Sequence, residues 1–377
     1  MVRVRPILAK TRKPEFYPII LAGGRGTRFW PLSRKSFAKQ LLPLNSEQSM
    51  IQETVARLST LAPSQNFWVI TNGELRANIA RQLPALPRKQ IVAEPIGRNT
   101  APAIGLAASI LYRKNPQAVL GLFPSDQVIN RQKQFRKDLQ TGIALAAAGD
   151  NIVVMGIKPT RPETGYGYIE AGSLFQGEVT RVRCFREKPE KQLAEQFLAA
   201  GNFYWNSGMF LWSAQTLVHA LQLHLPATAA LLEKIAAAWG TRNFEATLRK
   251  LYPRCDDKSV DYAIIEPRSA SGETGSNIFC IPADWGWSDL GSWAAHFEHR
   301  LAQGRQHDNI ITASGTFTID AHGNYFHAPG KFIAALGVEG LVVVDSGDAL
   351  LITTIARSQD VAKIVKYLDQ QKLSKLV

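Results

Sequence analysis

The 377-residue chain is 45% hydrophobic, 20% charged and 9% aromatic. These are ordinary globular proportions, and they exclude a disordered, collagen-like or low-complexity architecture. Lys and Arg number 44 against 31 Asp and Glu, a formal charge of +13, which suits anionic partners such as nucleic acid, acidic lipid or phosphorylated small molecules. Cys184, Cys255 and Cys280 lie far apart without CxxC spacing, which speaks against a disulfide framework or a zinc site. No apolar run approaches the ~20 residues of a membrane span. The first ten residues lack a signal peptide's apolar stretch, so a cytoplasmic protein without a membrane partner is expected.

In chain order, residues 1–15 read as a solvated basic arm. A strand is predicted at Phe16–Leu21, running into a Gly/Arg-rich loop, and a helix from about Ser49 to Leu61. Strands at Phe67–Thr71, Gln90–Ala93, Ala118–Phe123 and Ile152–Gly156 then alternate with helices at Glu74–Leu83, Ala101–Arg113 and Gln134–Ala148. Strands separated by helices of this length mean crossover units, hence an α/β, doubly wound fold with a mostly parallel sheet. From about 160 to 295 the pattern is mixed, with short strands at Gly167–Glu170 and Val179–Glu187 and a Trp-rich patch. Past residue 300, β-rich segments of four to six residues divided by Gly, Asn or Asp suggest a small sandwich, barrel or β-helix. Asp360–Leu373 reads as a closing amphipathic helix. The expected organisation is an arm over 1–15, a main domain over 16–300 and a β-rich domain over 301–377, with no internal repeat beyond loose similarity among the β segments.

The strongest chemical signal is Leu21-Ala22-Gly23-Gly24-Arg25-Gly26-Thr27-Arg28, continuing to Lys39-Gln40. A strand entering a glycine turn offers backbone N–H groups to an anion, and a Cβ there would hold the backbone off a phosphate. The spacing matches neither the P-loop nor the dinucleotide fingerprint. Asp126 follows an apolar strand, at the edge where open α/β sheets bind ligands. Trp205, Trp285, Trp287 and Trp293 read as core or pocket wall, not as a stacking platform for nucleic acid. His296 and His299 read as surface residues, and no Ser/His/Asp arrangement suggests a hydrolase.

The glycine-loop stretch resembles the signature of nucleotidyltransferases that make nucleoside-diphosphate sugars. Glu94–Ala103, Pro124-Ser-Asp126, Gly165–Ile169, Phe185–Pro189, Trp205–Phe210, Ser259–Ile264 and Trp287–Trp293 follow in an order that resembles the mannose-1-phosphate guanylyltransferase (GDP-mannose pyrophosphorylase) family over residues 16–377. The resemblance implies a Rossmann-like catalytic domain and a β-rich dimerisation domain. Its implied reaction joins GTP and mannose 1-phosphate into GDP-mannose and pyrophosphate, with Mg²⁺, in a homodimer that binds no nucleic acid. The attacking phosphate oxygen is already anionic, so catalysis reduces to positioning two polyanions and neutralising charge.

Carried over residue by residue, Arg28, Lys39 and Lys188 are the catalytic cations. Leu21, Ala22, Gly23, Gly24, Gly26, Thr27, Glu94, Pro95, Asn99 and Thr100 bind the nucleotide, with Glu94 reading the base. Gly167, Glu187 and Asn206 bind the sugar, and Asp126 and Asp289 hold the metal. Two positions depart from the family pattern: Ala38 replaces a proline and Gln127 a histidine. Some bacterial relatives add a phosphomannose isomerase domain beyond this point, and no isomerase activity is expected here. Three alternatives stay open: another sugar phosphate or nucleotide, a catalytically silent regulatory paralogue, and nucleic-acid binding driven by the charge.

Overall fold

The computed structural model describes residues 14–303 and 309–377. Apart from Pro14 and Glu15, the predicted basic arm lies outside the described residues. The first half runs β1 (Phe16–Leu21), α1 (Met50–Leu58), β2 (Trp68–Asn72), α2 (Arg76–Gln82), β3 (Ile91–Glu94), α3 (Thr100–Lys114), β4 (Val119–Pro124), β5 (Val128–Ile129), α4 (Gln132–Ala147) and β6 (Ile152–Ile157). Next come β7 (Tyr168–Gln176), β8 (Val179–Arg186), α5 (Lys191–Ala200), β9 (Phe203–Ser213), α6 (Ala214–His224), α7 (Pro226–Ala237) and α8 (Phe244–Leu251). The short turns α9 (Glu266–Ser269) and α10 (Gly272–Gly275) lead to β10 (Ile278–Ala283), β11 (Trp287–Ser288) and α11 (Trp293–Ala302). The C-terminal part is β12 (Ile310–Ile319), β13 (Tyr325–Leu336), β14 (Leu341–Asp345), β15 (Leu350–Thr354) and α12 (Val361–Gln370). The chain is α/β, as its alternating pattern predicts, with a smaller β-rich C-terminal part.

Contacts divide it into two compact units. One holds residues up to Pro18, Asn99–Leu122 and Lys137–Pro282, and the other holds Ile19–Arg98, Phe123–Arg136 and Ala283–Val377. In the first unit the strand order is β4-β9-β6-β10-β8-β7. The pairings β4–β9, β6–β9, β7–β8, β7–β9 and β8–β10 are antiparallel, which corrects the expectation of a mostly parallel sheet. The physical reason is local for β7 and β8. Only Gly177 and Glu178 separate them, with Gly177 at φ 57°, and a two-residue turn can only return the chain antiparallel. The eleven-residue β9 and the buried β10 are not predicted as strands from the sequence, because neither shows clean alternation. Helix α3 is buried along most of its length and packs on α6 and α7.

In the second unit β3, β2 and β1 are parallel neighbours, with Ile20 opposite Val69 and Ile70 opposite Val92. Their residues are buried on both faces, as covered parallel strands must be. The β-rich part is a parallel coil closed by one antiparallel strand. Ile310 lies beside Tyr325 and Tyr325 beside Val342, while β15 pairs back on β14. A ladder at the corner holds the coil. Asn324, fully buried, donates to Asn309 Oδ1 at 2.8 Å and to Val338 O at 3.0 Å, and accepts from Leu341 N at 2.8 Å. The Asn309 and Asn324 turns are thus equivalent corners of successive rungs, a repeat that short segments of loose similarity concealed.

A single core ties this coil to the glycine loop. Phe29 and Trp30 just after the loop share a buried cluster with Trp293, Tyr325, Val342, Val365 and Leu368. Phe29 and Trp293 ring centroids are 4.9 Å apart, and each fully buried ring of this kind contributes about 2–3 kcal/mol. His296 and His299 sit inside this unit, only 2% and 8% exposed, which corrects their reading as surface residues. They lie on the inward face of α11, where the Leu44 carbonyl and the Asn45 side chain partner their Nε2 atoms at 2.6 and 2.8 Å. Burial pushes His296 down to about 4, so it is a neutral core residue at physiological pH.

Candidate active site

The glycine loop is held by its carbonyls. Gln40 Nε2 donates to Ala22 O at 2.9 Å and Gly24 O at 3.1 Å, Ser33 Oγ to Gly26 O at 2.7 Å, and Asn72 Nδ2 to Gly23 O at 3.2 Å. The backbone N–H groups from Gly23 to Thr27 take no part in these bonds, which suits an anion cradle. Gly26 adopts φ 62°, and a Cβ there would come 2.3 Å from Lys39 Cβ. The glycine therefore serves two purposes: it allows the left-handed backbone, and it lets Lys39 pass against the loop.

Around this loop lies a cavity of about 410 Å³ lined by Gly26, Thr27, Arg28, Lys39, Asp126 and Asp289, with Ala362 of α12 at its wall. Lys39 is 6% exposed. Its ammonium donates to Asp126 Oδ2 at 2.9 Å and to the Asp289 carbonyl at 2.6 Å, and it stands 5.6 Å above the Phe29 ring. Asp126 is placed by the end of β4, where Ser125 N donates to Leu21 O. Asp289 follows β11, and the next residue, Leu290, is fully buried at φ 41°. Arg28 is exposed at the rim. Glu94 ends β3, and its Oε2 lies 3.5 Å from the place a Cβ on Gly23 would occupy. Pro95 follows it, exposed.

The sequence departures are absorbed locally. Ala38 is fully buried at φ −76°, within the range a proline would impose, so packing sets the backbone without the ring. Gln127 Oε1 accepts from Trp287 Nε1 at 3.0 Å, and its carbonyl accepts from Arg57.

The remaining candidates belong to the other compact unit. Asn99 caps α3 at φ 63°, its side chain accepting from Thr100 N, and Thr100 Oγ1 accepts from Val260 N at 2.9 Å. Gly167, Glu187 and Asn206 meet at one point. A Cβ on Gly167 would lie 2.5 Å from Glu187 Oε2 and 3.3 Å from Asn206 Cβ. Lys188, exposed and at φ 46°, reaches Glu187 Oε1 with its ammonium at 3.3 Å. Burial, aided by the charge of Asp261, pushes the Glu187 carboxyl up to about 7, with Lys188 pulling the other way. Trp205 walls this region under the Arg161 guanidinium, 5.4 Å from its ring, and with Trp285 and Trp293 it is buried.

Three residues escaped the sequence reading. Asp261 receives a hydrogen bond from Asn206, and its motif was visible although its role was not. Asp369 on α12 pairs with Arg25 at 3.2 Å and Lys35 at 2.7 Å, while Ala362 on the same helix lines the cavity at the glycine loop. No local signal could reveal those contacts, since more than 330 residues separate Arg25 and Lys35 from Asp369.

An α/β scaffold that brings a glycine loop, a lysine and two aspartates to one cavity defines an enzyme class that works on phosphate groups. The chain belongs to the nucleotidyl transferase family, whose profile matches residues 17–305, and a MannoseP isomerase/GMP-like beta-helix domain matches 315–368. It is 38% identical over 363 residues to a mannose-1-phosphate guanylyltransferase of Klebsiella pneumoniae, covering 95% of this chain and 74% of that protein. An Escherichia coli protein of the same name is 36% identical, with 93% and 75% covered. A crystal structure from Thermus thermophilus, described as mannose-1-phosphate geranyltransferase, superposes with TM-score 0.82 at 30% identity, covering 94% of this chain and 99% of that one. The protein is thus a nucleotidyltransferase of the kind that acts on sugar phosphates. Among the described residues, no helix is long and apolar enough to cross a membrane.

Proposed function

We propose that the protein transfers GMP from GTP to mannose 1-phosphate in the cytoplasm, releasing GDP-mannose and pyrophosphate. The observation that carries this reading is Lys39, buried beside the glycine loop with its ammonium between Asp126 and Asp289. The loop amides and Arg28 would hold the triphosphate, and Lys39 would neutralise charge as the α-phosphorus is attacked. Lys188 would anchor the sugar phosphate, with Gly167, Glu187 and Asn206 around the sugar; Asn99 and Thr100 complete the nucleotide-binding set. Asp126 and Asp289 suit Mg²⁺, because that ion takes one or two carboxylates together with substrate phosphates. A cation, the Lys39 ammonium, already rests against the Asp126 carboxylate and the Asp289 backbone carbonyl. Bound Mg²⁺ would neutralise the phosphate oxygens of the leaving group. Pyrophosphate released only when GTP and mannose 1-phosphate are both present is the expected result. Release from GTP alone would point to hydrolysis.

Guanine offers two adjacent donors, N1–H and N2–H₂, that one carboxylate can accept, whereas adenine turns an acceptor toward it. Glu94 would make that distinction, a reading supported by its position against the glycine loop. Glu94→Gln swaps one acceptor for a donor and is expected to erode the GTP-over-ATP preference by ~1–3 kcal/mol, with a smaller effect on kcat. Competition between the two nucleotides measures it, and an undiminished preference would remove Glu94 from base reading.

The proposed assembly is a homodimer, formed through the β-rich domain at 301–377 beside a catalytic domain at 16–300. In β12 and β13, Gly315, Phe317 and Ile319 lie opposite Phe332, Ala334 and Leu336, so these side chains share one face. Phe317, Ile319, Phe332 and Leu336 are all exposed, Phe332 by 65% and Leu336 by 71%. A continuous apolar face of this kind calls for a cover. Phe332→Glu with Leu336→Glu should halve the mass seen by light scattering. An unchanged mass would place any interface elsewhere.

A further inference from the structure

Asp261 opens a π-helical turn, Asp261–Ile265, a widened turn that is rare and concentrates at functional sites. Its Oδ1 accepts a 2.8 Å hydrogen bond from Asn206 Nδ2. The Asn206 Oδ1 accepts from Gly208 N at 3.0 Å, and the Asn206 backbone N–H donates to Gly167 O at 2.8 Å. The amide is locked in one orientation, nitrogen toward Asp261, with its second N–H proton left to donate elsewhere.

Glu187 stands over Gly167, where an added Cβ would meet both its Oε2 and the Asn206 Cβ. Its side chain is 8% exposed, and its Oε2 is buried without a hydrogen-bond partner. A buried acceptor in that state is one a ligand hydroxyl can satisfy. The charges acting on Glu187 are few. Lys188 lies 3.3 Å from Oε1, Asp261 is the strongest negative influence, and Glu266 adds a weaker one while paired with Arg186 at 3.0 Å. Burial raises the Asp261 carboxyl as well. Two carboxyls so placed cannot both ionise freely, and the titration belongs to the pair.

We propose that Asp261 is a positioning residue of the sugar-phosphate subsite: it locks the Asn206 amide and bears on the buried Glu187 carboxyl, so that a sugar hydroxyl meets both groups in one fixed arrangement. The inference rests on the reading above that this subsite takes a sugar phosphate. As a carboxylate, Glu187 accepts hydrogen bonds through both oxygens; as an acid it donates one and accepts less. Sugar-phosphate affinity should therefore rise as pH increases through about 7. The phosphate of the ligand titrates nearby, but it does so identically for wild type and variant, so the comparison isolates the protein's share.

Two measurements on the whole protein decide it. Infrared spectroscopy of the ligand-free protein between about pH 5 and pH 9 follows the protonated carboxyl band that Glu187→Gln removes. Asp261→Asn keeps the acceptor for Asn206 but removes the charge, and should move the band's midpoint down by about one unit or more. In kinetics, the KM for mannose 1-phosphate should fall with rising pH in the wild type and lose that dependence near neutrality in Asp261→Asn, with the KM for GTP unchanged. Asp261→Ala, which also frees the amide, should raise the sugar-phosphate KM at every pH by about 10-fold. A band midpoint unmoved in Asp261→Asn overturns the inference. If mannose 1-phosphate is not a substrate, the functional reading fails by itself, and the infrared result still decides the role of Asp261.

Discussion

Asp126→Asn is expected to lower kcat/KM for pyrophosphate release by about 100-fold or more, on the order of 3 kcal/mol of transition-state stabilisation. The size follows from two losses at one atom. The Asp126 carboxylate lines the cavity as the proposed metal ligand, and its Oδ2 also fixes the Lys39 ammonium at 2.9 Å. The amide retains the shape but neither the charge nor the ion pair. Asp289→Asn separates these effects, because Lys39 is held by the Asp289 carbonyl and not by its carboxylate. That variant should leave the lysine in place while weakening the response to Mg²⁺. A magnesium titration of initial rates distinguishes them: both variants should need far more metal, and Asp126→Asn should stay impaired at saturation. Wild-type rates at low magnesium would discard the metal assignment.

Gly26→Ala should be the most damaging change of a single methyl in the loop. The new Cβ would stand 2.3 Å from Lys39 Cβ and 3.0 Å from Lys39 N, at a residue with φ 62°. An L-residue in that backbone region costs roughly 1–2 kcal/mol before any clash, and the overlap must be relieved by moving Lys39. The expected result is a fall in kcat of about 10–100-fold, together with a lowered Tm. Gly24→Ala is the stability control: a Cβ there meets nothing within 4 Å, so it should leave Tm close to wild type, and any loss of kcat would come from the nucleotide that this Cβ would face. Equal effects on Tm from the two substitutions would mean that chain stiffness, not the seat of Lys39, governs the loop.

Much of this was legible in the sequence because local chemistry dictated it. Leu21–Arg28 reads as a strand entering a glycine turn, and the strand and the positive φ at Gly26 are found there; Asp126 stands after an apolar strand as expected. The parallel β1–β2–β3 block follows from alternation with helices. Pairing direction in the other unit was less legible, since β9 alternates only from Phe203 to Gly208 and is buried throughout its second half. Residues joined across long sequence distances were not legible at all. The Asp289 carbonyl that holds Lys39, the Asp369 that ties down Arg25 and Lys35, and the inward faces of His296 and His299 depend on packing of distant elements. The C-terminal segment illustrates the point. Read as an assembly element, it also supplies α12, whose Ala362 lines the cavity at the glycine loop, so its sequence alone understated its part in the candidate site.

The activity is read from a matrix of the four ribonucleoside triphosphates against mannose, glucose and galactose 1-phosphates, each with and without Mg²⁺, as pyrophosphate release and product mass. One dominant cell is expected, GTP with mannose 1-phosphate, dependent on Mg²⁺ and yielding GDP-mannose. A dominant product from another nucleotide or sugar, or equal rates without the metal, would contradict the proposed function.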